Sequence, residues 1–334
     1  MNDLQLDLAL HGDPVEVAAT AARAEERGVG GISVAEVTHD PYLTLGLAAT
    51  RTSRIELGTG IAVAFARTPM ATAYSAWDVH RLSGGRLVLG LGSQIKPHIA
   101  RRFAMPWSEP TARMTEYVAA LRAIWACWQD GDVLDFRGDF YEHTLMPPLF
   151  RAEPIEAGPP PIHLAGVGPR MLAAAGAVAD GLICHPLTSR AYLEDVIVPT
   201  VSAARAAGPH AGDPFTLSTL CLVASGRTEE ELAAAVAGVR RQIGFYSSTP
   251  AYAAVLEHHG WGELHTDAHA FTKAGRWDEL GDLVDDEVLA TLAVVGGVED
   301  ARAGLRERFA GLADRTGPSM PYAAAPDLGL DLVS

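Results

Sequence analysis

The sequence predicts an α/β fold, a single (β/α)8 TIM barrel over residues 1–334, and three observations carry that expectation. Short apolar runs alternate with stretches of helical periodicity in units of about thirty residues, the rhythm of parallel strands joined by right-handed crossovers. Glycines repeatedly close a strand and open a helix, as at Gly90-Leu-Gly92 and Gly166-Val-Gly168. No change of composition divides the chain, which disfavours the runner-up, a doubly wound open sheet with a second domain.

The elements follow in order. Leu4 to His11 alternates as a strand and stops at Gly12-Asp13-Pro14. Asp13 suits a helix N-cap and Pro14 the first helical position, so a helix runs from there to Arg27, where Gly28 ends it. Gly31 to Glu36 is strand two, and a helix from about Tyr42 to Thr50 follows Thr38-His39-Asp40-Pro41. Ile55 to Ala64 is strand three. Pro69 opens a helix that ends near Leu82 before the Gly84-Gly85 stop, and Arg86 to Gly90 is strand four. The helix from about Glu109 to Gln129 places Tyr117, Leu121, Ile124 and Trp128 on one face.

The rhythm then breaks over about residues 130–161. A short hairpin around Gly138 precedes Pro147, Pro148, Pro154 and Pro159 to Pro161, which forbid regular structure. This segment is expected to be an insertion after strand four, lying over the barrel mouth. Ile162 to Ala165 is strand five, Pro169 to Ala179 a helix, and Gly181 to His185 strand six. A helix over 191–207, strand seven over 216–224 and a helix over 228–243 come next. A second insertion, after strand seven, occupies about 247–286. Ala290 to Val295 is expected to be strand eight, and Val298 to Ala313 the closing helix.

Composition narrows the function. The chain is 48% hydrophobic, ample for a large core, and its formal charge of -15 argues against nucleic acid as a partner. No apolar run is long enough for a membrane span, and the first residues lack the pattern of a signal peptide. Cys127, Cys184 and Cys221 are widely spaced in apolar surroundings, which suggests reduced thiols and a cytoplasmic protein. The lysines are Lys96 and Lys273 alone. Lys96, His98, Arg101 and Arg102 form a local basic cluster just after the first glycine junction, either a solvated helix face or an anion site.

In such a barrel, chemistry sits at the C-terminal ends of the strands. Those ends carry His11, Glu36 with His39, Gly60-Ile61, Gly90 to Gln94, Gly166 to Gly168, and His185. Each glycine junction lets backbone N–H groups at a helix start approach a phosphate, so a phosphate-bearing cofactor is expected there. Neither junction is a dinucleotide fingerprint, since both lack the third glycine. An imidazole handles protons near neutral pH, and His39 is the first candidate for that role. The alternative for His39 is capping of the next helix, and for His11 a packed place on the rim. His163, inside strand five, reads as a core residue. The histidines and carboxylates are expected to offer no zinc-ligand spacing, so no metal is expected. No Gly-x-Ser-x-Gly elbow of a serine hydrolase occurs either.

With these elements in place the chain resembles the luciferase-like monooxygenase superfamily. The carriers are Glu36-Val-Thr-His-Asp-Pro41, Leu57-Gly-Thr-Gly-Ile-Ala62, Leu82-Ser-Gly-Gly-Arg-Leu-Val-Leu-Gly-Leu-Gly-Ser93 and His163-Leu-Ala-Gly-Val-Gly-Pro-Arg170, with Ala179-Asp-Gly-Leu-Ile183 after the last. Within the superfamily it is most similar to actinobacterial oxidoreductases that use coenzyme F420. The resemblance implies a strand-three bulge with a non-prolyl cis peptide behind the flavin ring, mapping to Gly60-Ile61 beside Ala62. It also implies a phosphate loop at Gly166-Val167-Gly168, and a strand-four junction, Gly90, Gly92 and Ser93, along the ring's polar edge or ribityl chain. His185 is a candidate phosphate contact, and Glu36, His39 and His11 are the candidate catalytic groups. Relatives acting on sugar phosphates carry an acidic residue where this chain has Ser93-Gln94, which argues against that activity.

Three functions stay open. The favoured one is an F420-dependent oxidoreductase: hydride transfer to or from a small-molecule substrate by a homodimeric enzyme. The others are an FMN-dependent two-component monooxygenase and a non-catalytic flavin-binding barrel.

Overall fold

The computed structural model describes residues 4–334. Eight parallel strands close a barrel: β1 (Gln5–Leu10), β2 (Gly31–Val34), β3 (Glu56–Thr59), β4 (Leu87–Gly92), β5 (Ile162–Gly166), β6 (Gly181–Cys184), β7 (Thr216–Gly226) and β8 (Arg315–Ser319). Each pairs with the next, and β8 pairs with β1 to complete the ring. The outer layer contains α1 (Pro14–Glu26), α2 (Pro41–Ala49), α3 (Pro69–Leu82), α4 (Pro110–Gln129), α5 (Pro169–Val178), α6 (Val198–Ala207), α7 (Glu229–Ser247) and α8 (Val298–Arg308). Among the described residues no helix is long and apolar enough to cross a membrane.

Local chemistry sets the helix starts. Asp13 accepts from the N–H groups of Val15 and Glu16 at 2.8 and 3.2 Å, and Asp40 from those of Tyr42 and Leu43 at 2.8 and 3.0 Å. Pro14 and Pro41 follow these caps at the first helical position, where a missing N–H costs nothing.

Alternation along β1 divides the core in two. Leu6 and Leu8 are buried in the main apolar core, while Gln5 and Asp7 meet Arg315 at the strand N-termini. Arg315 donates to both Asp7 carboxylate oxygens at 2.7 Å and lies 3.1 Å from Glu56, forming a charged floor to the barrel. The opposite, C-terminal end is left for chemistry.

One expectation is corrected. Strand eight is Arg315–Ser319, not Ala290 to Val295. The latter stretch ends the helix Asp286–Leu292 and starts an extra strand, Ala293–Gly297, which pairs only with the outer half of β7. The eleven-residue β7 makes this possible: residues 216–219 face β6, 218–222 face β8, and 222–226 face the extra strand. A short apolar run suits helix or strand equally, whereas Gly317 and Pro318 mask the true strand. Gly317 is required there, because a Cβ would stand 2.4 Å from the backbone oxygen of Asp7.

The first insertion packs along α3 and α4. Its hairpin, Phe136–Arg137 with Glu142–His143, is held by Glu116 of α4, which accepts from the N–H groups of Asp139, Phe140 and Tyr141. The chain then runs down the outer faces of α3 and α4. There the indole N–H of Trp77 donates to the Glu153 carbonyl and Arg81 donates to the carbonyls of Glu153 and Pro154. It closes over Trp77, which packs with the buried Trp125 and Trp128.

Candidate active site

The strand-three bulge is built by the loop after β2. The Gly60–Ile61 peptide is cis. The Gly60 N–H donates to the Val34 carbonyl at 2.9 Å, and the Glu36 N–H to the Ile61 carbonyl at 3.1 Å. Beyond the bulge Ala62 and Val63 form a short strand against Leu91 and Gly92 of β4. Ile61 lies over Gly92, where a Cβ would stand 2.9 Å from its side chain. Gly90 serves a different purpose: a Cβ there would sit 1.9 Å from the Thr59 carbonyl, so the residue allows close packing of β3 on β4.

Glu36 is spent on structure. Its carboxylate accepts from the Val63 N–H at 2.8 Å and from Arg67 at 2.7 and 2.8 Å, and its side chain is 7% exposed. Arg67 also bridges to Asp40 at 2.6 Å, so one guanidinium ties the bulge to the cap of α2. Burial works against the charge of Arg67, yet Glu36 and Asp40 hold the group above its ordinary range. Arg67 was not anticipated from sequence. Its signal was an arginine opposite a loop carboxylate, 31 positions apart.

His39 lies in the same clamped loop between Glu36 and Asp40, exposed and with no side-chain hydrogen bond among the described residues. His11, at the exit of β1, is likewise exposed. The β2 and β4 loops are joined where Arg102 donates to the Val37 carbonyl at 2.7 Å. Lys96, His98, Arg101 and Arg102 are all exposed on the β4 side, and none makes an ion pair among the described residues. Ser93 is half-buried, its hydroxyl donating to the Gln94 carbonyl at 3.1 Å.

Across the mouth, Gly166 and Val167 lead from β5 into α5, whose N-cap is Gly168. No side chain caps this helix, and the space a Cβ would enter at Gly168 is open. Open space at the start of a ten-residue helix fits a phosphate. At the exit of β6 the hydroxyl of Thr188 is buried without a hydrogen-bond partner among the described residues, a further polar atom near the same rim.

His185 is half-buried and stacks on Tyr252 at 4.1 Å between ring centres, with Tyr246 edge-on at 4.6 Å. Burial lowers its pKa to about 3, so the ring is neutral at physiological pH. Nδ1 accepts from the Leu187 N–H at 3.1 Å, which leaves the proton on Nε2. Both tyrosines come from the end of α7 and the second insertion, so that insertion borders the site. Its irregular sequence does not specify these aromatic contacts. His163 is buried inside β5, its pKa lowered to about 4 by burial, and belongs to the barrel interior as expected.

One sequence expectation about metals is corrected. His265-Thr-Asp-Ala-His269 does have His-x-x-x-His spacing, on the helix Gly262–Lys273. No group of three or more potential metal ligands occurs among the described residues.

Comparison with known proteins agrees with this architecture. A family model described as luciferase-like monooxygenase matches residues 2–315. The chain is 48% identical over 315 residues to an uncharacterized protein of Mycobacterium tuberculosis, covering 94% of this chain and 93% of the relative. It is 27% identical to the 5,10-methylenetetrahydromethanopterin reductase of Methanolobus tindarius, over 88% of this chain and 87% of that one. The coenzyme F420-dependent tetrahydromethanopterin reductase of Methanopyrus kandleri superposes with a TM-score of 0.78 at 19% identity, covering 99% and 97% of the two chains. The chain belongs to the luciferase-like monooxygenase family of oxidoreductases.

Proposed function

We propose that this protein is a coenzyme F420-dependent oxidoreductase that transfers a hydride between the deazaflavin and a small organic substrate. The observation that carries the reading is a mouth with two complementary anion-binding features. The open N-terminus of α5 at Gly168 suits the phosphate, and Lys96, Arg101 and Arg102, which make no ion pair among the described residues, suit an acidic cofactor tail. On a chain of charge -15, cations without carboxylate partners at one rim favour an anionic ligand there.

When bound, the deazaflavin accepts or gives a hydride and lacks the ring nitrogen needed for easy oxygen chemistry. Gly60, Ile61 and Ala62 would back its ring, Gly92 and Ser93 would line its polar side, and Gly166, Val167 and Gly168 would hold its phosphate. His185, neutral with Nε2–H, is a donor for the same region. His39 is the proposed proton donor or acceptor to substrate, since its ring is free of other partners, and His11 is the second candidate. Glu36 contributes by holding the bulge with Arg67 rather than by moving a proton. The reading includes a homodimer in the cytoplasm.

Fluorescence titration with F420 and with FMN at moderate salt tests the proposal. F420 is expected to bind more tightly. Tighter binding of FMN would favour a two-component monooxygenase instead, and binding of neither would overturn the assignment.

A further inference from the structure

The helix Gly262–Lys273 of the second insertion carries His265 and His269 one turn apart, both half-buried. Residues four apart on a helix share a face, so the two imidazoles stand side by side. Their rings lie 5.9 Å apart between centres at 27° to each other. Each ring is anchored by the same atom: Nδ1 of His265 is 2.6 Å from the Ser247 carbonyl, and Nδ1 of His269 is 3.1 Å from the Ser248 carbonyl. A carbonyl oxygen only accepts, so both Nδ1 atoms carry the proton and both Nε2 atoms present a lone pair. Neither Nε2 has a hydrogen-bond partner among the described residues. This is the arrangement in which a metal-ligating histidine is held: one nitrogen bonded to a carbonyl that fixes tautomer and orientation, the other free for the ion.

We propose that His265 and His269 form a two-histidine site for a divalent transition metal that favours imidazole, such as Cu(II), Ni(II) or Zn(II). With no third protein ligand among the described residues, water completes the coordination. The anchoring carbonyls belong to the end of α7, immediately after Tyr246, which packs against His185. A bound metal draws electron density from each ring and strengthens its Nδ1–H bond to α7, so the ion fastens this part of the insertion beside the cofactor site. The proposal does not depend on the identity of the cofactor.

The obvious rival role is a cap, in which the two rings merely satisfy the last carbonyls of α7. Asparagine separates the two roles, because its side-chain N–H2 can replace Nδ1–H while removing Nε2. Calorimetric titration of the purified protein with Zn(II) and Cu(II) should show one saturable equivalent per chain, with Cu(II) the tighter. In the double variant His265→Asn, His269→Asn, binding should weaken by more than about tenfold, since even loss of a hydrogen-bonding partner behind a ligand costs about that much. Metal-free melting temperature should stay near that of the parent. If the variant fails to fold, electron paramagnetic resonance of the Cu(II)-loaded parent decides: coupling to two imidazole nitrogens supports the site. Absence of saturable binding, equal affinity in a folded double variant, or a Cu(II) spectrum without two imidazole nitrogens would overturn it.

Discussion

Lowering the pH from 7 to 5 should destabilise the fold through His163, and the size of the effect follows from its surroundings. The imidazole is 6% exposed and fills the space beside Gly181, where a Cβ would stand 2.6 Å from it. Burial is the main cause of its lowered pKa, about 4 in the folded protein, with Asp180 opposing and Arg315 reinforcing the shift. An unfolded histidine titrates near 6.5. Between these values the unfolded chain binds the extra proton. The contribution is therefore complete above about pH 6.5 and is lost as the pH falls toward 4. From pH 7 to 5 the loss is about 2 kcal/mol, a large share of a typical domain's stability. Urea unfolding followed by tryptophan fluorescence at pH 7, 6 and 5 measures it. In His163→Asn the stability loss over that range should shrink by about 2 kcal/mol. Any packing cost of the substitution cancels, because each protein is compared with itself across pH. An equal loss in parent and variant would refute the reasoning.

Two substitutions probe the mouth. Arg67→Met leaves the Glu36 carboxylate buried with only the Val63 N–H, and should cost about 2–4 kcal/mol. Thermal unfolding should register a clear fall in Tm, and an unchanged Tm would show that the clamp is dispensable. Gly168→Asp should preserve the fold, since aspartate is a good N-cap for α5, yet weaken cofactor binding by more than about tenfold by placing a carboxylate where phosphate is proposed. Unchanged affinity with an unchanged circular dichroism spectrum would put the phosphate elsewhere.

The sequence carried the barrel because its units are locally marked. Asp13-Pro14 and Asp40-Pro41 announce helix starts, and apolar runs such as Leu87 to Leu91 announce buried strands. Strand eight was hidden because Arg315-Thr-Gly-Pro-Ser319 has little apolar character, its place being set by backbone approach to Asp7. The course of the first insertion was not legible, because proline content reveals irregularity but not direction. Its course depends on Glu116 and Trp77. At the site, the glycine junctions were legible as backbone requirements, yet Gly90 turns out to meet a strand neighbour. Glu36 was marked by position, but its commitment to Arg67 is a contact across 31 residues that local pattern does not encode. The aromatic surroundings of His185 come from Tyr246 and Tyr252, in a region without a clear period. The spacing of His265 and His269 is readable in the sequence, but their anchoring to the end of α7 is not.

The central claim is that the mouth bounded by the strand-three bulge and the α5 N-terminus holds the deazaflavin. A crystal structure of the protein with coenzyme F420 tests this most directly. It should show the ring against Gly60, Ile61 and Ala62, the phosphate at the N–H groups of Gly166 to Gly168, and the acidic tail toward Lys96, Arg101 and Arg102. Density for the cofactor at any other place, with the Gly168 helix start empty, would contradict the account.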